Sequence, residues 1–242
     1  METLGSLKGR VALVTGCSGG IGRATALRLA RLGCCIAVHY HSSKERADDV
    51  VSEIKKIDTN LRAVTFQADL SGYDGARKLH ADVVRDMGHP DILFNNSGVT
   101  NKVLGLQGDI QDISAEEFEN TWRTNTGTSF LRGSMDGSYF ALGTGGVIGP
   151  HYASSKSALH GLLHWIAARH AKDGITSNAV APALIIETTM MAKPSDELKA
   201  KIPVGRFGLP DEIASIVEML VTNSYMTNKI IVADGGWTPS AF

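Results

Sequence analysis

The feature that most constrains this chain is an alternation of short runs rich in Val and Ile with longer stretches of helical period. VALVTG precedes 20–32, CIAVHY precedes 43–57, AVTFQ precedes 74–87, and ILFNN precedes 114–131. Further on, a helical stretch at 152–172 leads to ITSNAV and another at 210–222 leads to KIIVA. Apolar strands without in/out alternation need helices on both faces, so the pattern predicts α/β architecture with a Rossmann-type doubly wound parallel sheet. No linker composition divides the 242 residues, and 1–242 is expected to form a single domain.

One interval breaks the pattern. Residues 126–150, TGTSFLRGSMDGSYFALGTGGVIGP, are glycine-rich, without a sustained apolar period, and offer a single candidate strand around 138–142. A helix, strand and loop of a βαβ unit take about 30 residues. The segment 126–150 is therefore expected to be abnormally short or irregular.

Charge and composition narrow the partners. A net charge of -1 favours neither nucleic acid nor an anionic membrane, and a small-molecule partner fits better. No apolar run approaches the roughly 18–20 residues of a membrane span, and METLGSLKGR lacks the regions of a signal peptide. Cys17, Cys34 and Cys35 lack metal-ligand company, so reduced thiols, no metal and a cytoplasmic location are expected.

Thr15-Gly16-Cys17-Ser18-Gly19-Gly20-Ile21-Gly22 falls between the first strand and the first helix. Glycines there let backbone amides and the helix dipole meet a pyrophosphate, although such glycines also serve turns without a ligand. Its position favours dinucleotide binding. The second strand ends at Tyr40 and is followed by His41, Ser42, Ser43 and Lys44, with no acidic residue where an NAD site commonly places one. These donors suit a 2′-phosphate and favour NADP(H) over NAD(H). They also suit a helix cap, and the two roles are compatible.

Tyr152 and Lys156 stand four apart at the start of a strong helix, on one face. A phenol has a pKa near 10, and a neighbouring ammonium favours its ionised form, which makes the pair a workable proton donor. Alone, such a pair is a common accident of a solvated helix.

Together these motifs resemble the short-chain dehydrogenase/reductase family, nearest to its 3-oxoacyl-acyl-carrier-protein reductase-like members. TGCSGGIG matches the family's TGxxxGxG, and Ala68-Asp69-Leu70 its adenine-contacting stretch. NNSG at 95–98 matches NNAG, Asn125-Thr126-Gly127 matches NxTG, and YASSK matches YxxxK. NAVAPA at 178–183 and VADGGW at 232–237 follow further family patterns.

The resemblance implies reduction of a ketone or 3-oxoacyl carbonyl to the alcohol, with Tyr152 as proton donor, Lys156 as its partner, Asn125 holding a water, and Ser138 bonding the substrate oxygen. Ser134 is a weaker substitute for Ser138. The cofactor would meet Gly16, Ser18, Gly20, Ile21, Gly22, Tyr40, Ser42, Ser43, Asp69, Leu70, Asn95, Ser97, Gly98, Tyr152, Lys156, Pro182, Ile185 and Thr188. A homo-tetramer or homo-dimer is implied, partly through the helix at 157–169. Departures from the family are Gly19 where relatives often carry Arg, Ala183 for a usual glycine, and the short interval between Asn125 and Tyr152. The alternative is a nucleotide-binding scaffold that has lost catalysis.

Overall fold

A computed structural model describes residues 6–105, 108–133, 148–191 and 195–238. Four strands, β1 (Val11–Val14), β2 (Cys35–Tyr40), β3 (Ala63–Gln67) and β4 (Ile92–Phe94), form a parallel sheet in the order β3-β2-β1-β4. Two more, β5 (Asn178–Pro182) and β6 (Lys229–Ala233), pair parallel in a second sheet. The helices are α1 (Gly20–Arg31), α2 (Lys44–Ile57), α3 (Tyr73–Met87), α4 (Ala115–Trp122), α5 (Thr128–Gly133), α6 (Pro150–His170), α7 (Asp196–Ala200) and α8 (Pro210–Thr222).

Both faces of the larger sheet are covered, as the unbroken apolar strands require. On one side Ala12, Val14, Ile36 and Val38 pack with Leu29, Val50 and Ile54, and with Val180, Val217 and Leu220 of β5 and α8. On the other, Leu13, Ala37 and Leu93 meet Leu79 and Val83 of α3. The first cluster thus ties the two sheets together. Arg28 on α1 adds a link to α8, with a forked bond to Asp211 and a 2.8 Å bond to Glu218. The architecture is the expected α/β sheet flanked by helices.

Three sequence expectations need correction. The strand placed at ITSNAV starts later, at Asn178, and extends to Pro182, because its ladder runs against Lys229–Ala233. The helix expected at 114–131 is continuous only through a π-helical turn at Arg123–Gly127, which separates α4 from α5. Within 126–150, residues 128–133 are regular helix rather than irregular. The candidate strand around 138–142, Ser138 and Ser134 lie outside the described residues. Among the described residues no helix is long and apolar enough to cross a membrane.

Candidate active site

In the sheet order, β2 and β3 follow on one side of β1 and the chain then crosses to place β4 on the other, so the ends of β1 and β4 bound the crevice where open α/β sheets hold ligands. Gly16 and Gly20 adopt positive φ, 64° and 53°, at the turn leaving β1. Gly22 has no room for a side chain: a Cβ would lie 2.4 Å from the Gly16 carbonyl oxygen and 2.8 Å from Asn96 Nδ2. The helix α1 that follows has no side-chain cap bond and no acid in its first turn, which leaves the positive end of its dipole available to an anion. This cradle fits a dinucleotide. Replacing Gly22 by Ala should weaken dinucleotide binding by tenfold or more, since rigid backbone must move; calorimetric titration with NADP+ checks it.

Thr15 and Asn96 bind the two sides of the crevice to each other, a role not read from the motifs that contain them. Thr15 Oγ1 accepts from the amides of Asn96 and Ser97, both at 2.9 Å, and Asn96 Nδ2 donates to the carbonyls of Thr15 and Gly16. Thr188 also reaches the turn, its methyl 3.1 Å from where a Gly20 Cβ would stand, which separates it from Thr189. Its hydroxyl donates to Ile185. Pro182 ends β5 beside these residues, and Ile185 is buried in a bridge to Gly208.

The adenine end is more exposed. Asp69 accepts from the Ser71 amide and hydroxyl at 2.8 and 2.9 Å, which hold its carboxyl below the ordinary value. His41 stands 3.7 Å away. Leu70 does not offer its side chain to the crevice: it packs with Phe66, Leu79 and Val83, and only its backbone could meet a cofactor. Tyr40 is buried as well. Ser42 and Lys44 are exposed; Lys44 pairs with Asp48 at 2.6 Å. Ser43 stands at the N-cap of α2 without a capping side-chain bond, so the cap role is not realised.

The chemical end assembles at Gly98. A Cβ there would meet Lys156 Nζ at 2.9 Å and Asn125 Oδ1 at 3.2 Å. Asn125 sits in the π-turn, a feature frequent at functional sites, where Oδ1 accepts from the Val99 amide at 2.9 Å and Nδ2 donates to the Val99 carbonyl and to Ser155 Oγ, both at 3.0 Å. Ser155 in turn donates to the Tyr152 carbonyl. Lys156 Nζ lies 5.7 Å from the centre of the Tyr152 ring. Asn95 is buried and Ser97 half-buried on the same loop.

Burial raises the Tyr152 phenol above its ordinary value and lowers the Lys156 ammonium to about 8. The expected lowering of Tyr152 by Lys156 is not found in the chain alone, where desolvation governs both groups. His151, also missed, is fully buried; its Nε2–H donates to the Thr100 carbonyl at 3.0 Å and anchors the loop after β4.

Similarity to known proteins covers nearly the same length. A family model described as short chain dehydrogenase matches residues 10–135, and one described as Enoyl-(Acyl carrier protein) reductase matches 135–238. The 3-oxoacyl-acyl-carrier-protein reductase FabG of Staphylococcus aureus is 35% identical over 245 residues, covering 93% of this chain and 96% of that protein. Versicolorin reductase 1 of Aspergillus parasiticus is 32% identical over 260 residues, covering 95% and 97%. A solved structure of the angucycline C-6 ketoreductase LanV with bound NADP superposes with a TM-score of 0.84 at 27% identity, covering 96% of each chain.

Proposed function

Because this chain belongs to the short-chain dehydrogenase/reductase family, a family of oxidoreductases, we propose that it is an NADPH-dependent reductase of a ketone or 3-oxoacyl carbonyl. The observation that carries the reading is the meeting of Lys156, Asn125 and Gly98 beside Tyr152, at the mouth of a glycine cradle that excludes side chains. A bound nicotinamide would supply hydride to the carbonyl carbon. Tyr152 donates the phenolic proton to the carbonyl oxygen, for which a neutral, buried phenol is the required starting state. Lys156 stabilises the phenolate left behind, and Asn125, bonded to both the Val99 backbone and Ser155, ties the loop carrying Gly98 to α6.

NADP preference rests on exposed Ser42 and the unengaged cap position of Ser43, with no acidic residue between Tyr40 and Lys44, and on the NADP held by LanV. Consumption of NADPH with a panel of ketones and 3-oxoacyl thioesters tests the activity; dinucleotide binding without turnover would leave the scaffold reading. Ser42→Asp should raise the Michaelis constant for NADPH far more than for NADH, and equal use of both by the unaltered protein would refute the preference.

We read the chain as a single domain, cytoplasmic, and a homo-dimer or homo-tetramer. Cys17, Cys34 and Cys35 are free thiols, consistent with a reducing compartment. On α6, Leu159, Leu163 and Ile166 turn inward, while Trp165 is 62% exposed. An open cleft of about 560 Å³ nearby is lined by Tyr73, Phe118, Trp122, Phe130 and Leu162. Such a patch on a surface suits a second copy. Phe130→Arg should shift the protein from dimer or tetramer toward monomer in sedimentation at micromolar concentration; a monomeric unaltered protein would contradict the assembly.

A further inference from the structure

His39 is a histidine near the end of β2 with only 2% of its surface exposed. Its Nδ1 lies 3.1 Å from the Gly16 amide nitrogen, and its Nε2 lies 3.1 Å from the Ala68 carbonyl oxygen. Its own carbonyl accepts from the Cys17 amide at 2.8 Å. An amide N–H only donates and a carbonyl only accepts, so these two partners allow one form of the ring: neutral, with the proton on Nε2. The imidazole therefore spans from the glycine turn to the residue before Asp69, the two ends of the crevice that must hold a fixed separation to accept one dinucleotide.

We propose that His39 is a positioning residue of the dinucleotide site, whose neutral ring holds the Gly16 turn in place and whose protonation releases it. The proposal rests on the reading of the crevice as a dinucleotide site. An imidazolium carries N–H on both nitrogens, so Nδ1–H and the Gly16 N–H would point at each other across 3.1 Å. Either the ring turns and abandons Ala68, or the turn moves. Gly16 has little freedom to follow, since its carbonyl accepts from Asn96 and a Cβ on it would already press on Ser97.

Titratable groups stand on each of the surrounding elements. In the turn, burial keeps the Cys17 thiol neutral. On α1, Arg23 is paired with Glu53. On the strand end stand Tyr40 and His41, and beyond β3 the Asp69 carboxylate is engaged by Ser71.

The test compares the full-length protein with His39→Asn and His39→Leu by calorimetric titration with NADP+ between about pH 8 and 5. Asn keeps an acceptor at the Nδ1 position and does not titrate; Leu keeps bulk and removes both bonds. Relative to the Asn variant, the unaltered protein should lose about tenfold more affinity as the pH falls, while Leu should bind about tenfold more weakly throughout. The 2′-phosphate and every side chain other than residue 39 are common to all three proteins, so the difference between them reports on His39. Identical pH slopes for the unaltered protein and the Asn variant would overturn the proposal. So would a ring nitrogen spectrum of the ligand-free protein showing the proton on Nδ1 at pH 8, a readout that needs neither binding nor a stable Leu variant. Absence of NADP+ binding by the unaltered protein at every pH would instead overturn the reading of the crevice, and the role of His39 with it.

Discussion

Replacing Tyr152 by Phe should lower turnover by roughly 10²–10⁴-fold, the range lost when a general acid is removed, with dinucleotide affinity little changed. The ring is 7% exposed, and Phe fills the same space, so the fold should survive. The size of the loss follows from the environment. Burial raises the phenol, which keeps its proton in place at neutral pH, and the donated proton leaves a phenolate only 5.7 Å, ring centre to Nζ, from Lys156. That charge pair exists after transfer and not before, so its attraction lowers the barrier rather than the ground state. Steady-state rates of NADPH oxidation, paired with an NADP+ titration, check the prediction. Near-normal turnover in the Phe variant would remove Tyr152 from the chemistry.

Lys156→Met should nearly abolish turnover and yet stabilise the fold at neutral pH. Lys156 is 6% exposed and its pKa is lowered by burial from an ordinary 10.5 to about 8. A lowered lysine pKa means that the unfolded chain holds the proton more tightly. Below about pH 8 the folded protein therefore carries the full cost of a buried ammonium, on the order of 3 kcal/mol, and the cost fades as the pH rises from about 8 to 10.5. Met fills the site without a charge. Its thermal midpoint should exceed that of the unaltered protein by roughly 6–12 °C at pH 7, with the gap closing toward pH 10. A midpoint that falls at pH 7 would show that Lys156 supports the fold rather than burdening it. Dinucleotide affinity should fall as well, since the side chain stands at Gly98.

Elements whose evidence is local were legible before any coordinates. The glycines of the turn at 15–22, the Tyr152 and Lys156 spacing, and the strand–helix alternation each declare themselves within a few residues, because positive φ, helical period and two-sided burial act on neighbours in the chain. The same holds for Asn125 and Gly98 as motif members. What stayed hidden are contacts between residues on different elements, such as Thr15 with Asn96, His151 with Thr100, and Thr188 beside Gly20. Period gives no strand order, so it cannot say which loop ends share a crevice.

Leu70 illustrates the same boundary from the other side. Its motif neighbour Asp69 is exposed, yet one residue further along the chain the side chain turns into the α3 cluster. His39 belongs to none of the motifs. Only the pairing of β2 between β1 and β3 places its ring between Gly16 and Ala68. The sequence by itself determined the α/β class, the glycine turn and the Tyr152–Lys156 pair, since each depends on backbone conformation or on residues a helical turn apart. Tertiary structure alone decided which strand ends meet, which motif residues face the crevice, and the direction in which burial shifts Tyr152 and Lys156. Desolvation depends on everything packed around a group, and no local pattern in the chain carries that sum.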